Sequence, residues 1–160
     1  MYFFSTLVNA SFEDALLETK EVLRRHGFEV LANVDMQTAF KKHLALDFRP
    51  YLILGAYVPK LAHRGIQIYE KMGSVLVCNV VVQQHRDGRV EISMVDPETS
   101  MYAIGHIEMD WIVRDLRSRL RSVIEEIEAR TPIQQSFAGA GGRPSVLVPG
   151  TSPGLNFACW

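Results

Sequence analysis

The residue pattern predicts one α+β domain, an antiparallel sheet covered on one face by helices and closed by a long C-terminal helix. Three observations carry this reading. Strand-like runs and helical patterns follow one another as strand, helix, two further strands with short helices between, a hairpin, then a long helix, an order that suits a two-layer domain. Asp87-Gly88 stands between the strand-like runs 75–84 and 89–95, a strong short-range signal for a hairpin. Met109, Val113, Leu116, Leu120, Val123 and Ile127 recur at three- and four-residue steps, marking one apolar helix face.

The elements follow in order. Residues 2–8 are rich in aromatic and β-branched side chains and read as a first strand. Ser11 precedes a helical pattern whose first turn carries Glu13 and Asp14, favourable at the positive end of the helix dipole. Phe12, Ala15, Leu16, Thr19, Val22 and Leu23 form its inner face, and Gly27 ends it. Residues 28–34 alternate apolar with polar as a second strand. Asp35 caps a short helix reaching about His43, with Met36, Phe40 and Leu44 expected inward. Arg49-Pro50 marks a turn, because a residue before proline avoids helical angles. Residues 51–58 read as a third strand, and Pro59 suits the first turn of a helix over 60–70. Gly73 breaks the chain before 75–84, the hairpin follows, and Asp96-Pro97 closes it. The stripe of the last helix is expected to bury against the sheet; the alternative is a seam between two subunits.

At 160 residues, with 48% hydrophobic and 22% charged side chains, the chain supports one hydrophobic core. A net charge of −1 gives no electrostatic reason to expect nucleic acid or an anionic membrane as partner. Arg114, Arg117, Arg119 and Arg121 are flanked and largely neutralised by Asp110, Asp115, Glu125 and Glu126. The opening residues lack the basic segment of a signal peptide, and the longest apolar run is too short to span a bilayer. A cytoplasmic setting is therefore expected, with Cys78 and Cys159 kept as thiols. Glycine and proline crowd the chain after Thr131-Pro132, so the domain is expected over 1–130 and a Gly/Pro-rich tail over 131–160.

Three segments carry a family resemblance: DFRPYLILGAYVPKLAHRGI at 47–66, VLVCNVVV at 75–82 and SMVDPE at 93–98. In this order they resemble the uncharacterised family catalogued as domain of unknown function 302, over residues 1–128. The resemblance implies a small α+β domain with a TATA-binding-protein-like two-layer arrangement, usually a homodimer. Such a fold does not by itself imply DNA binding. Two positions depart from the family pattern: Val77, where a proline commonly precedes the cysteine, and Val58, where a small polar residue often precedes Pro59.

Candidate chemistry is sparse. Cys78 and Asn79 are adjacent on one strand and so face opposite sides. A thiol becomes a nucleophile or ligand only where a cation, histidine or metal stabilises its thiolate; a packed core cysteine is the ordinary alternative. His63 and Arg64 follow the small residues Gly55 and Ala56, where an opening would let a carboxylate or phosphate approach; a solvated helix face is the plainer reading. Tyr57 completes the expected lining with Cys78, Asn79, His63 and Arg64. The five histidines form no metal-ligand spacing with one another or with cysteine, so no dedicated metal site is expected and no cofactor is indicated. Asp96 and Glu98 are accounted for by turn and cap duty. Three functions stay open: a homodimeric binding or sensory domain for a small molecule or metal ion, a thiol-dependent enzyme or redox protein using Cys78 with His63 or another base, and an interaction module using the tail.

Overall fold

A computed structural model describes residues 2–101 and 107–130. Its strands are β1 (Phe3–Val8), β2 (Glu29–Asp35), β3 (Tyr51–Tyr57), β4 (Cys78–Gln84) and β5 (Val90–Val95). They form one sheet in the order β1-β5-β4-β3-β2, every neighbouring pair antiparallel. The helices are α1 (Phe12–Arg25), α2 (Met36–Leu44), α3 (Pro59–Ile68), α4 (Pro97–Met101) and α5 (Asp110–Arg130). The expected α+β class, antiparallel sheet and long C-terminal helix are all present.

Local chemistry sets the element ends. The Ser11 hydroxyl accepts from the Asp14 backbone N–H at 3.1 Å and opens α1. At the other end Gly27 takes φ +83°, and the Phe28 N–H turns back to the Leu23 carbonyl at 2.9 Å. Asp35 caps α2 in the expected way, its carboxylate accepting from the Thr38 N–H and hydroxyl. Those bonds hold its pKa below the ordinary carboxylate value. Pro59 occupies the first turn of α3. In the hairpin, Gly88 takes φ +85°, its N–H reaches the His85 carbonyl at 3.0 Å, and the His85 N–H reaches the Arg89 carbonyl at 2.8 Å.

The sheet has one packed face and one open face. On β1, Phe4, Thr6 and Val8 are buried while Phe3 and Ser5 face out. The register carries that alternation across: Met94, Ile92 and Val90 on β5, then Val80 and Val82 on β4, then Leu54 on β3. Against them α1 places Ala15, Thr19, Val22 and Leu23, and α5 places Ile112, Leu116, Leu120, Val123 and Ile127. Burying each large aliphatic side chain contributes about 1.5–3 kcal/mol, so this layer carries most of the stability. The helices are also tied by charge. Arg119 donates to the His26 carbonyl at 2.9 Å, satisfying an orphan acceptor at the end of α1. Glu126 accepts from Arg25 at 3.0 Å and pairs with the His26 ring at 2.7 Å.

Four expectations need correction. The strand expected over 75–84 begins at Cys78, because a 3-10 turn (Glu70–Ser74) and a bend precede it and send Leu76 into the core. Leu76 fits there because α3 carries Gly65: a Cβ at that position would sit 2.6 Å from Leu76 Cδ1. The last helix starts at Asp110, leaving Met109 in a preceding 3-10 turn and turning Ile112 rather than Val113 fully inward. Helix α2 has no buried residue, and Leu44 is exposed, because it joins an edge strand to β3 and contacts only that strand closely. Strand β2 is exposed along its length apart from Val30, since it lies at the margin of the sheet.

Candidate functional site

The antiparallel order gives the sheet two ends with different chemistry. At one end β3 leaves into α3 and β4 begins, which gathers most of the residues singled out from the sequence. Cys78 lies opposite Ala56 on the helix-covered face and packs against the core. Burial raises its thiol pKa to about 11, because a thiolate there would lose its hydration without gaining a charged partner. Asn79 lies opposite Gly55 on the other face and is exposed. Tyr57 shares that second face and is half-buried. The sheet itself therefore separates Cys78 from Asn79 and Tyr57.

His63 and Arg64 stand on the exposed side of α3, whose buried side is Leu61, Ala62 and Gly65. Among the described residues neither makes a hydrogen bond or ion pair. Gly55 does not leave an opening: the space where its side chain would go is bounded by Ala32 Cβ at 3.3 Å and Val77 Cγ1 at 3.4 Å. The small residue serves close strand packing. No group of three histidine, cysteine, aspartate or glutamate side chains among the described residues is placed to hold a metal ion. The tail expected over 131–160 lies outside the described residues.

The opposite end of the sheet holds a cluster that sequence reasoning missed. A groove of about 610 Å³ is lined by Leu7 of β1, Arg49 before β3, Glu91 of β5, and His85, Arg86, Asp87 and Arg89 of the hairpin. The row Leu7, Glu91, Gln83 and Tyr51 crosses four strands in register, and its Leu7 and Glu91 line the groove. Along it runs a hydrogen-bonded chain: Arg49 Nη2 donates to Gln83 Oε1 at 2.7 Å, Gln83 Nε2 donates to Glu91 Oε2 at 3.0 Å, and the His85 ring meets the same oxygen at 2.9 Å. The Arg49 guanidinium also lies 4.7 Å from the Phe48 ring centre and 5.7 Å from that of Tyr51.

Arg89 is neutralised by Asp87, with Nη2 2.7 Å from the carboxylate. That contact holds the Asp87 pKa below the ordinary value and raises that of Arg89, the shared hydrogen bond being the largest cause for each. Among the described residues Arg49 by contrast meets only a neutral amide and two rings. Arg86 makes no hydrogen bond or ion pair among the described residues. A signal for this site does exist in the chain: His85, Arg86 and Arg89 crowd one tight turn. Arg49, more than thirty positions earlier, joins them only through strand pairing.

Comparison with known proteins places this architecture. The family model described as Domain of unknown function DUF302 matches residues 4–127. The crystal structure of an uncharacterized conserved protein DUF302 from Bacillus stearothermophilus superposes with a TM-score of 0.72 at 24% identity, covering 79% of this chain and 98% of its own. At that identity the likeness concerns the fold. No curated protein matches the chain.

Proposed function

This chain belongs to the DUF302 family, and from that premise we propose that it is a small-ligand-binding domain that works as a homodimer in the cytoplasm. The observation that carries this reading is the bare margin of β2 and α2. Leu31, Val34, Leu44 and Leu46 are all exposed there, and β2 is an edge strand, irregular at Leu31 and regularly paired to β3 from Ala32 to Asp35. Such an edge invites another strand. A second copy of the same edge is its natural complement, because two antiparallel copies related by a two-fold axis make the same contact from both sides. The groove at the hairpin end stays clear of that margin's apolar side chains and serves as the seat for a small ligand.

Binding is better supported than thiol chemistry, since the Cys78 pKa of about 11 disfavours the nucleophilic form. The test of the dimer is sedimentation velocity on the full chain over a wide concentration range. A mass that moves from one copy towards two as concentration rises is expected. A mass of one copy at every concentration up to the solubility limit removes the dimer.

A further inference from the structure

We infer that the groove beside the β4–β5 hairpin is a binding site for a small phosphate-bearing anion, such as a phosphomonoester, held between Arg49 and Arg86. The inference rests on the reading of the chain as a binding domain and names the ligand class that reading leaves open.

The argument is one of charge balance and donor supply. Three guanidinium groups line the groove against two carboxylates, Asp87 and Glu91. Both carboxylates are already engaged: Asp87 by Arg89, and Glu91 by Gln83 and His85. Of the three guanidinium groups in the groove, Arg49 and Arg86 have no carboxylate partner among the described residues. A guanidinium carries five N–H donors in a planar fork that matches phosphate oxygens. Arg49 spends one nitrogen on Gln83, and its plane is steadied by Phe48 and Tyr51. It is therefore held in place before any ligand arrives, which lowers the ordering cost of binding.

Gln83 matters because it is neutral. A carboxylate at that position would cancel Arg49, whereas the amide orients it and leaves its charge available. Glu91 forms no direct ion pair with Arg49, the two being bridged by the amide of Gln83. With Asp87 set against Arg89, the remaining Arg49, Arg86 and Glu91 leave the groove one net positive charge, and two guanidinium forks without an ion pair face the oxygens of a phosphate-bearing anion. Leu7 at the far wall offers a small apolar contact for the organic part of such a ligand.

The experiment is an amide-resolved NMR titration of the full chain with methyl phosphate at constant ionic strength, with sodium chloride as the matched control. Saturable shifts confined to residues 49, 83–91 and 7 are expected. Arg49→Gln and Arg86→Gln should each weaken binding about tenfold, the usual value of one charge-assisted contact, while Arg64→Gln at the other end of the sheet should change nothing. Far-ultraviolet circular dichroism of each variant checks that the fold is kept. Shifts that never saturate, or saturable shifts undiminished in both Arg49→Gln and Arg86→Gln, overturn the assignment. Binding to vesicles containing phosphatidic acid without any saturable response to methyl phosphate overturns it too, because the seat would then be a membrane contact. Sedimentation of the same samples reports self-association separately, so a single-copy protein that binds methyl phosphate sinks the dimer and leaves this site standing.

Discussion

Replacing Leu31 with glutamate tests the shared edge most directly. Leu31 is 62% exposed in the single chain, so most of its apolar surface is free to be covered by a partner. Full burial of a leucine side chain is worth about 1.5–3 kcal/mol, and scaling by the exposed part leaves about 1–2 kcal/mol for each copy. A two-fold interface counts every substitution twice, so Leu31→Glu should weaken a dimer by about 2–4 kcal/mol, or roughly 30- to 1000-fold in Kd. Two glutamates brought near each other across the axis push the effect towards the upper end. The single chain should hardly notice, because Leu31 sits at the register shift between Val30 and Ala32, without a ladder partner on β3, and the lost side chain supports little of the core. Sedimentation equilibrium of wild type and variant over the same concentrations reads the change. If the two give the same association constant, the exposed margin of β2 is not the contact, and the reasoning from edge and exposure fails.

Other consequences are open to simple measurement. In a Cys159→Ser background, Cys78 should alkylate at pH 8 roughly twentyfold more slowly than a free model thiol, the smaller thiolate fraction outweighing its greater basicity; a faster reaction would revive the thiol-enzyme reading. Asp96 is buried and receives Arg117 Nε at 2.9 and 3.0 Å together with the Glu98 N–H, so Asp96→Ala should cost about 2 kcal/mol, less than a fully buried pair because Arg117 is partly hydrated. A melting temperature within a degree of wild type would show that pair to be dispensable. The Glu126 pKa is depressed, chiefly by its hydrogen bond with His26, so its contribution is present above the ordinary carboxylate value and is lost as pH falls through the depressed one. Glu126→Gln should therefore melt below wild type at neutral pH and converge with it in acid; a gap that persists in acid would assign the effect to packing.

Much of the scaffold was legible because it rests on local rules. Ser11 and Asp35 announced helix starts, Gly27 an end, Pro59 a first turn, and Asp87-Gly88 a hairpin, each through backbone chemistry that acts within a few residues. The stripe of α5 was readable for the same reason, since a 3.6-residue period needs no knowledge of what it packs against. The exposed Leu44 was not readable in that way. Its period is as good as that of Leu116, but α2 lies at the rim beyond an edge strand, and strand order is a long-range property.

The candidate sites divide along the same line. Alternation alone said that Cys78 and Asn79 face opposite sides. Which of the two met the helices depended on the register Ala56–Cys78, and that register put the thiol inside and lifted its pKa. The arginines of the hairpin do not by themselves define a site; strand pairing lays Gln83, Glu91 and Arg49 beside them.

By itself, then, the chain of residues determined the class of fold, most element boundaries and its family, because each is written in spacing and local chemistry. Only the tertiary structure decided which strands became edges, which face was covered and which distant side chains met. Those outcomes come from pairing strands far apart in the chain, where no local pattern records who the neighbour will be.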